Sequence, residues 1–277
     1  MKNIFHTENQ KGKNKSKVAP KKHLGQHFLK DENIAAQIVN SFTEKCTTKS
    51  ILEIGPGMGV LTKYLLDEKQ FTTHAIEVDR ESILWLKIHF PQLEKNLIDG
   101  DFLKLDLATM FDGKFSVIGN FPYNISSQIV FKVIENKNQI PLVVGMFQKE
   151  VAERYTAHPR HKEYGILSVL TQAFYDVEYL FSVDETVFIP PPKVKSGVVR
   201  FTRKSEDIKT DEKLFFRVVK TAFNQRRKKL RNAISQFQID DAVLTKSGFI
   251  DKRAEELSVY DFVELTNLIM NKLKENV

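Results

Sequence analysis

The order of apolar runs between Ser50 and Phe147 constrains this chain more than any other feature. Ser50–Ile54, Thr72–Val78, Asn96–Asp99, Phe115–Gly119 and Leu142–Phe147 read as strands. Between them Val60–Leu66, Glu81–Ile88 and Ser126–Ile134 have helical periodicity. Strand, helix, strand at this pitch predicts a parallel sheet covered on both faces, since parallel neighbours are joined by crossovers that usually hold a helix. Upstream, Ile34, Ile38 and Phe42 recur at helical spacing behind Asp31, a suitable N-cap. Downstream, Tyr164–Phe174 reads as helix, and Val177–Phe181 and Gly197–Phe201 read as strands that complete the sheet. Phe188-Ile189-Pro190-Pro191-Pro192-Lys193-Val194 is too proline-rich for a central strand and reads as a rigid loop. Arg203–Lys213 reads as a charged linker, and Leu214–Phe223, Lys229–Phe237 and Glu255–Leu273 as helices. The expected organisation is a flexible basic tail over 1–20, an α/β body over 21–203 and a small all-α domain over 204–277.

The chain's 277 residues suffice for a core that needs no covalent staples. Its one cysteine, Cys46, rules out an intramolecular disulfide and a cysteine metal cluster, as suits a reducing compartment, and no metal is expected. The first residues lack an apolar signal core, and no apolar run approaches the ~20 residues of a membrane span. A soluble, cytoplasmic protein is expected. The formal charge is +7, and residues 1–30 carry eight lysines against one glutamate, while the remainder balances 34 basic against 34 acidic residues. A lysine-rich arm ahead of a neutral body, with a second basic knot at Arg226-Arg227-Lys228-Lys229-Leu230-Arg231, points to a polyanionic partner.

Chemistry collects at strand ends. Asn120-Phe121-Pro122-Tyr123 follows the fourth strand. The Asn120 amide and the carbonyl of Phe121, held extended because a proline follows, can both accept hydrogen bonds from one exocyclic amino group. The ring of Tyr123 can stack on the base that carries it. Glu53-Ile54-Gly55-Pro56-Gly57-Met58-Gly59 makes a strand-to-turn element whose glycines let backbone approach a ligand. A nicotinamide dinucleotide is a rival occupant, but it would bring a pyrophosphate to the helix N-terminus, where Glu53 repels it. The third glycine of Gly-x-Gly-x-x-Gly would also fall on Val60. A carboxylate there suits a ligand with an ammonium and a sulfonium, such as S-adenosylmethionine. Glu77, at the end of the second strand, is placed to accept ribose hydroxyls, and Asp101, after the third, an adenine amino group. Glu53, Glu77, Asp101 and Asn120 all fall at the carboxyl ends of strands, where open α/β sheets bind ligands.

These residues resemble the ribosomal RNA adenine N6-dimethyltransferases, the kasugamycin-sensitivity methyltransferases of the small subunit and their relatives. The resemblance runs from about Lys21 to Leu265. It is carried by Lys21-Lys22-His23-Leu24-Gly25-Gln26-His27-Phe28-Leu29, Glu53–Gly59, Asn120–Tyr123, Tyr164-Gly165-Ile166-Leu167-Ser168, Phe188–Val194 with Ser196, and Phe223-Asn224-Gln225-Arg226-Arg227-Lys228-Lys229-Leu230. It implies a Rossmann-like, S-adenosylmethionine-dependent methyltransferase sheet of seven strands, one antiparallel, with a small all-α C-terminal domain. It implies that His27, Leu29, Gly55, Gly57, Glu77, Asp101 and Asn120 contact the cofactor, and that Tyr123 and Phe188 sandwich the target adenine. Two positions depart from the family's usual residues. His27 stands where many members have Asn, and Phe121 where many have Leu or Ile.

The expected reaction is methyl transfer from S-adenosylmethionine to N6 of two adjacent adenosines in the 3′-terminal hairpin of small-subunit ribosomal RNA, with a role in subunit biogenesis. Asn120 and Phe121 would draw the amine toward tetrahedral geometry, without a strong base, and the base would leave its stack to reach them. Arg226, Arg227, Lys228, Lys229 and Arg231 would contact RNA phosphates. A monomer acting on ribosomal RNA and the assembling small subunit is expected. The rival readings are a macrolide-resistance enzyme acting on large-subunit RNA, a DNA adenine methyltransferase, and an assembly factor with little catalysis.

Overall fold

The computed structural model describes residues 18–275, so most of the expected 1–20 tail lies outside the described residues. Nine strands occur among them: β1 Phe28–Leu29, β2 Ser50–Ile54, β3 Thr72–Glu77, β4 Leu97–Asp99, β5 Phe115–Asn120, β6 Leu142–Gln148, β7 Tyr175–Val183, β8 Phe188–Ile189 and β9 Ser196–Arg203. The α-helices are α1 Glu32–Thr43, α2 Val60–Asp67, α3 Arg80–His89, α4 Leu107–Met110, α5 Ser126–Glu135, α6 Lys149–Thr156, α7 Ile166–Gln172, α8 Glu212–Asn224, α9 Leu230–Ala233, α10 Asp241–Lys246 and α11 Val259–Glu275.

Seven strands form one sheet in the order β4-β3-β2-β5-β6-β9-β7. β2 to β6 are parallel, and β9 runs antiparallel to both of its neighbours, β6 and β7. This is a Rossmann-like sheet with one reversed strand. The order steps outward from β2 to β3 and β4, then returns to place β5 on the other side of β2. The carboxyl ends of β2 and β5 therefore flank the reversal, which is where such sheets leave a crevice.

Side chains cover both faces. Ile38, Phe42, Leu61, Leu65 and Val144 pack on one side, and Phe115, Val133, Phe147 and Tyr155 on the other. That second cluster continues without a break into Phe215, Phe223, Phe262 and Leu265 of the C-terminal helices. Local capping starts the helices where the sequence allows it. Asp31 accepts from the amides of Asn33 and Ile34 ahead of α1, and Asp211 from that of Leu214 ahead of α8.

Several expected elements differ. Tyr164–Phe174 is helical only over Ile166–Gln172, because Gly165 is extended at the N-cap, where its amide donates to the Ser168 hydroxyl at 3.0 Å. The expected Lys229–Phe237 helix is the four-residue α9 followed by a 3-10 turn at Ser235–Phe237. The loop expected at Phe188–Val194 begins with β8, paired antiparallel with β1. No helix among the described residues is long and apolar enough to cross a membrane.

Candidate active site

β2 ends in a turn whose glycines take left-handed backbone angles, φ 68° at Gly55 and 57° at Gly57. A Cβ on Gly57 would lie 2.8 Å from the ring of Phe28, so only glycine lets the turn pass beneath β1. The turn is pinned from the next strand. Glu77 accepts from the amide of Gly57 at 3.0 Å through one oxygen, and from those of Val78 and Asp79 at 2.8 and 2.9 Å through the other. Burial raises its pKa above the usual carboxylate value despite those donors. Glu53 lies deeper, 1% exposed, with the Thr62 hydroxyl donating to it at 2.6 Å. Burial pushes its carboxyl up to about 8, opposed by Thr62 and reinforced by the nearby charge of Glu77.

A cavity of about 210 Å³ opens at this crevice, with His27, Gly55, Gly57, Glu77, Asp101, Asn120 and Tyr123 among its lining residues. A smaller recess of about 30 Å³ shares Phe28, Gly55 and Asn120 with it and reaches Leu29, Glu53 and Met58. The bare backbone of Gly55 keeps the junction open, since its Cβ position meets nothing nearer than Pro122 at 3.9 Å. Asp101 spends one oxygen on the amide of Leu103 at 2.9 Å.

At the end of β5 the Asn120 amide donates through Nδ2 to the carbonyl of His27 at 2.9 Å. That contact fixes the flip of the amide and leaves Oδ1 as the acceptor. Tyr123 is held from its far end, where its hydroxyl and Oγ of Ser196 lie 2.6 Å apart, and burial raises its pKa. Phe121, 1% exposed, packs its ring against the sheet. It fills the space over Gly119 and Gly145, where added Cβ atoms would lie 2.7 and 2.4 Å from it. The larger side chain at this position is absorbed by the core.

Residues 21–29 form a strap across the site. Lys21 pairs with Asp79, and Gln26 donates to the same carboxylate at 3.2 Å. The imidazole of His27 stacks against Tyr123, with ring centroids 5.4 Å apart and planes inclined 24°, and its Nδ1 lies 2.8 Å from the carbonyl of Pro190.

Phe188 lies in the core. Its ring is 1% exposed and packs with the core cluster that holds Leu29, Ile118, Met146 and Val198, because β8 is drawn in by its pairing with β1. It does not line the cavity. The basic knot also divides. Arg226 binds Glu255 at 2.5 Å and the carbonyl of Lys162 at 2.8 Å, Lys229 binds Asp251 at 2.6 Å, and Arg231 lies 3.8 Å from Asp241. Arg227 and Lys228 are exposed, on the turn between α8 and α9, with no ion pair among the described residues. Gln26, Asp79, Ser196 and the cavity-lining Val78 and Asn124 were not singled out by sequence reasoning as site residues. Of these, Gln26 and Ser196 did lie inside quoted motifs.

An acceptor pair at a strand end, beside an aromatic ring and a glycine turn, serves an amino group better than a hydride. Fold and site together place the chain among Rossmann-like methyltransferases. The chain belongs to the ribosomal RNA adenine dimethylase family, whose sequence model matches residues 18–271. The chain is similar to the ribosomal RNA small subunit methyltransferase A of Cytophaga hutchinsonii, 56% identical over 92% of this chain and 99% of the relative. The protein of that name from Bacteroides thetaiotaomicron is 54% identical over 93% and 96%. Among solved structures, a dimethyladenosine transferase from Plasmodium falciparum superposes with a TM-score of 0.76 at 26% identity, over 91% of this chain and 99% of that one. The 23S rRNA methyltransferase ErmE shares the fold, with a TM-score of 0.67 at 24% identity.

Proposed function

We propose that this chain transfers methyl groups from S-adenosylmethionine to N6 of two adjacent adenosines in the 3′-terminal hairpin of small-subunit ribosomal RNA, giving N6,N6-dimethyladenosine. The observation that carries the chemistry is the cavity-lining Asn120 amide, whose Nδ2 is committed to His27 so that Oδ1 is left as the acceptor. Adenine N6 is a weak nucleophile because its lone pair is delocalised into the ring. Asn120 Oδ1 and the Phe121 carbonyl, each accepting one N6–H, favour the tetrahedral nitrogen whose lone pair is free. Orientation and fixed dipoles supply the rate. Tyr123 provides a stacking face, worth about 1–3 kcal/mol per base by analogy with single-strand binders.

The residues present fit the cofactor. When bound, S-adenosylmethionine supplies a methyl group on a positively charged sulfur. The recess that reaches Glu53 offers a buried carboxyl with one hydroxyl donor and no cation, which suits an ammonium. Gly55, Gly57, Leu29, Asn120 and the backbone of His27 would hold the amino-acid end, and Glu77 and Asp101 the ribose and base. Phe188 would serve by seating β8 against β1. Residues 21–203 would form the catalytic unit. Residues 204–277 would form the RNA-binding unit, with Arg227 and Lys228 on phosphates and Arg226, Lys229 and Arg231 shaping the turn that presents them.

The relatives named small subunit methyltransferase A, 48% to 56% identical, support the small-subunit substrate, and the Plasmodium dimethyladenosine transferase supports dimethylation of adenosine. We assign the chain to a cytoplasmic monomer acting on the assembling subunit. The test is methylation of unmodified small ribosomal particles, read by mass mapping. Two dimethylated adenosines are expected from the wild type and none from Asn120→Ala, which should keep most cofactor affinity. Near-normal turnover in that variant would falsify the mechanism.

A further inference from the structure

The reaction leaves the side chain of His27, which lines the cavity, without a role. Its carbonyl orients Asn120, yet that contact needs no particular side chain. The imidazole nevertheless has a defined place. It lies over Tyr123 with centroids 5.4 Å apart, and Nδ1 reaches the carbonyl of Pro190 at 2.8 Å. A carbonyl only accepts, so Nδ1 carries the proton and donates it.

Tyr123 needs an open ring face to hold a base. Its hydroxyl is buried against Ser196, and Phe188, the expected opposing ring, lies in the core. Tyr123 borders the cavity with Asn120, and His27 lines the same cavity. Stacked bases rise by about 3.4 Å per layer, so two rings flanking one base stand roughly 6.8 Å apart. At 5.4 Å and a 24° tilt no base fits between His27 and Tyr123.

We propose that the imidazole of His27 is a placeholder for the target base. It covers the stacking face of Tyr123 while the site is empty and swings out about its Cα–Cβ bond when the adenine enters. The proposal rests on the methyl-transfer reading above. Because the orienting contact to Asn120 is made by the main chain, the ring can leave without releasing the amide. The imidazole gives up the Pro190 bond and the Tyr123 stack, and the base recovers the stack. The ring therefore competes with substrate and discriminates against bases too small or too poorly stacked to displace it. His27 is a positioning and specificity residue, one that acts on the base through Tyr123.

The experiment uses the full chain and an RNA hairpin in which 2-aminopurine replaces the first of two adjacent adenosines, so that fluorescence reports the extruded base. His27→Ala and His27→Asn should each bind this probe about 3- to 10-fold more tightly than wild type, the scale of one lost hydrogen bond. The gain should be the same with and without saturating S-adenosylmethionine, a pattern that an altered cofactor contact would not produce. In a Tyr123→Ala background the gain should vanish. Probe affinity that is unchanged or weaker in both variants overturns the proposal, as does a gain that persists without Tyr123. If wild-type protein transfers no methyl group to ribosomal RNA, the functional reading fails. If it does, and the His27 variants show no gain, only the placeholder fails.

Discussion

The ring of Phe121 lies in a slot that two glycines leave open, Gly119 on β5 and Gly145 on β6. Gly145→Ala should cost about 1–3 kcal/mol by overpacking, and adding Phe121→Leu should recover part of that loss. Denaturant unfolding of the two single variants and the double variant would show it, and simple additivity would argue against the slot. Glu53 gives a second prediction at this scale. Its carboxyl, ordinarily near 4.5, is held near 8 in the folded chain. Folded protein thus keeps a proton that unfolded protein releases between those values. The contribution is full below pH about 4.5 and drains away as pH rises through 8. Thermal melts of the cofactor-free protein from pH 5 to 9 should show stability falling with pH, and Glu53→Gln should flatten the decline. Parallel slopes would place the titration elsewhere. Asn120, Tyr123, Gly55, Glu77 and Asp101 were legible as one site because strand ends converge in a parallel sheet. Phe188 was not, because its inward turn depends on a two-residue pairing with Phe28 and Leu29, remote in sequence.

Among elements, the strap of residues 21–29 depends on Asp79, which is 2% exposed and also caps α3 through the amide of Glu81. Asp79→Ala should lower stability by about 1–3 kcal/mol through loss of cap and buried partners and weaken cofactor binding. Lys21→Ala removes only the tie, so it should weaken cofactor binding with little change in melting temperature. Calorimetry beside thermal melts separates the two, and equal effects on both quantities in both variants would contradict the division. The five parallel strands were readable because burial on both faces writes them as continuous apolar runs. α9 and α10, of four and six residues, carry too few turns for periodicity to register. β1 and β8 are two residues each and exist through their mutual pairing.

Across the whole molecule, one core cluster joins the sheet to α8 and α11, so the C-terminal helices are carried rigidly with the active site. Their free cations should act as a fixed electrostatic footprint. Arg227→Ala with Lys228→Ala should reduce the salt slope of RNA binding by about 2 and leave stability unchanged. Arg226→Ala should chiefly lower melting temperature, because it unties Glu255 and the loop carbonyl of Lys162. The reverse pattern would exchange their roles. That division was not visible in a run of like charges, since the partners lie on segments folded back from elsewhere. The slot at Gly119 and Gly145 has a consequence on this scale too. The Asn-Phe-Pro-Tyr corner is bolted to the sheet by its own aromatic peg, like the fixed jaw of a vise. The opposing jaw is the strap, fastened by the short β1–β8 ribbon, the carboxylate of Asp79 and the bonds of His27 to Asn120 and Pro190. The two jaws stay joined through the His27 carbonyl, so what yields to an arriving nucleotide is the His27 ring, on a stretch of chain some ninety residues upstream of the corner it serves.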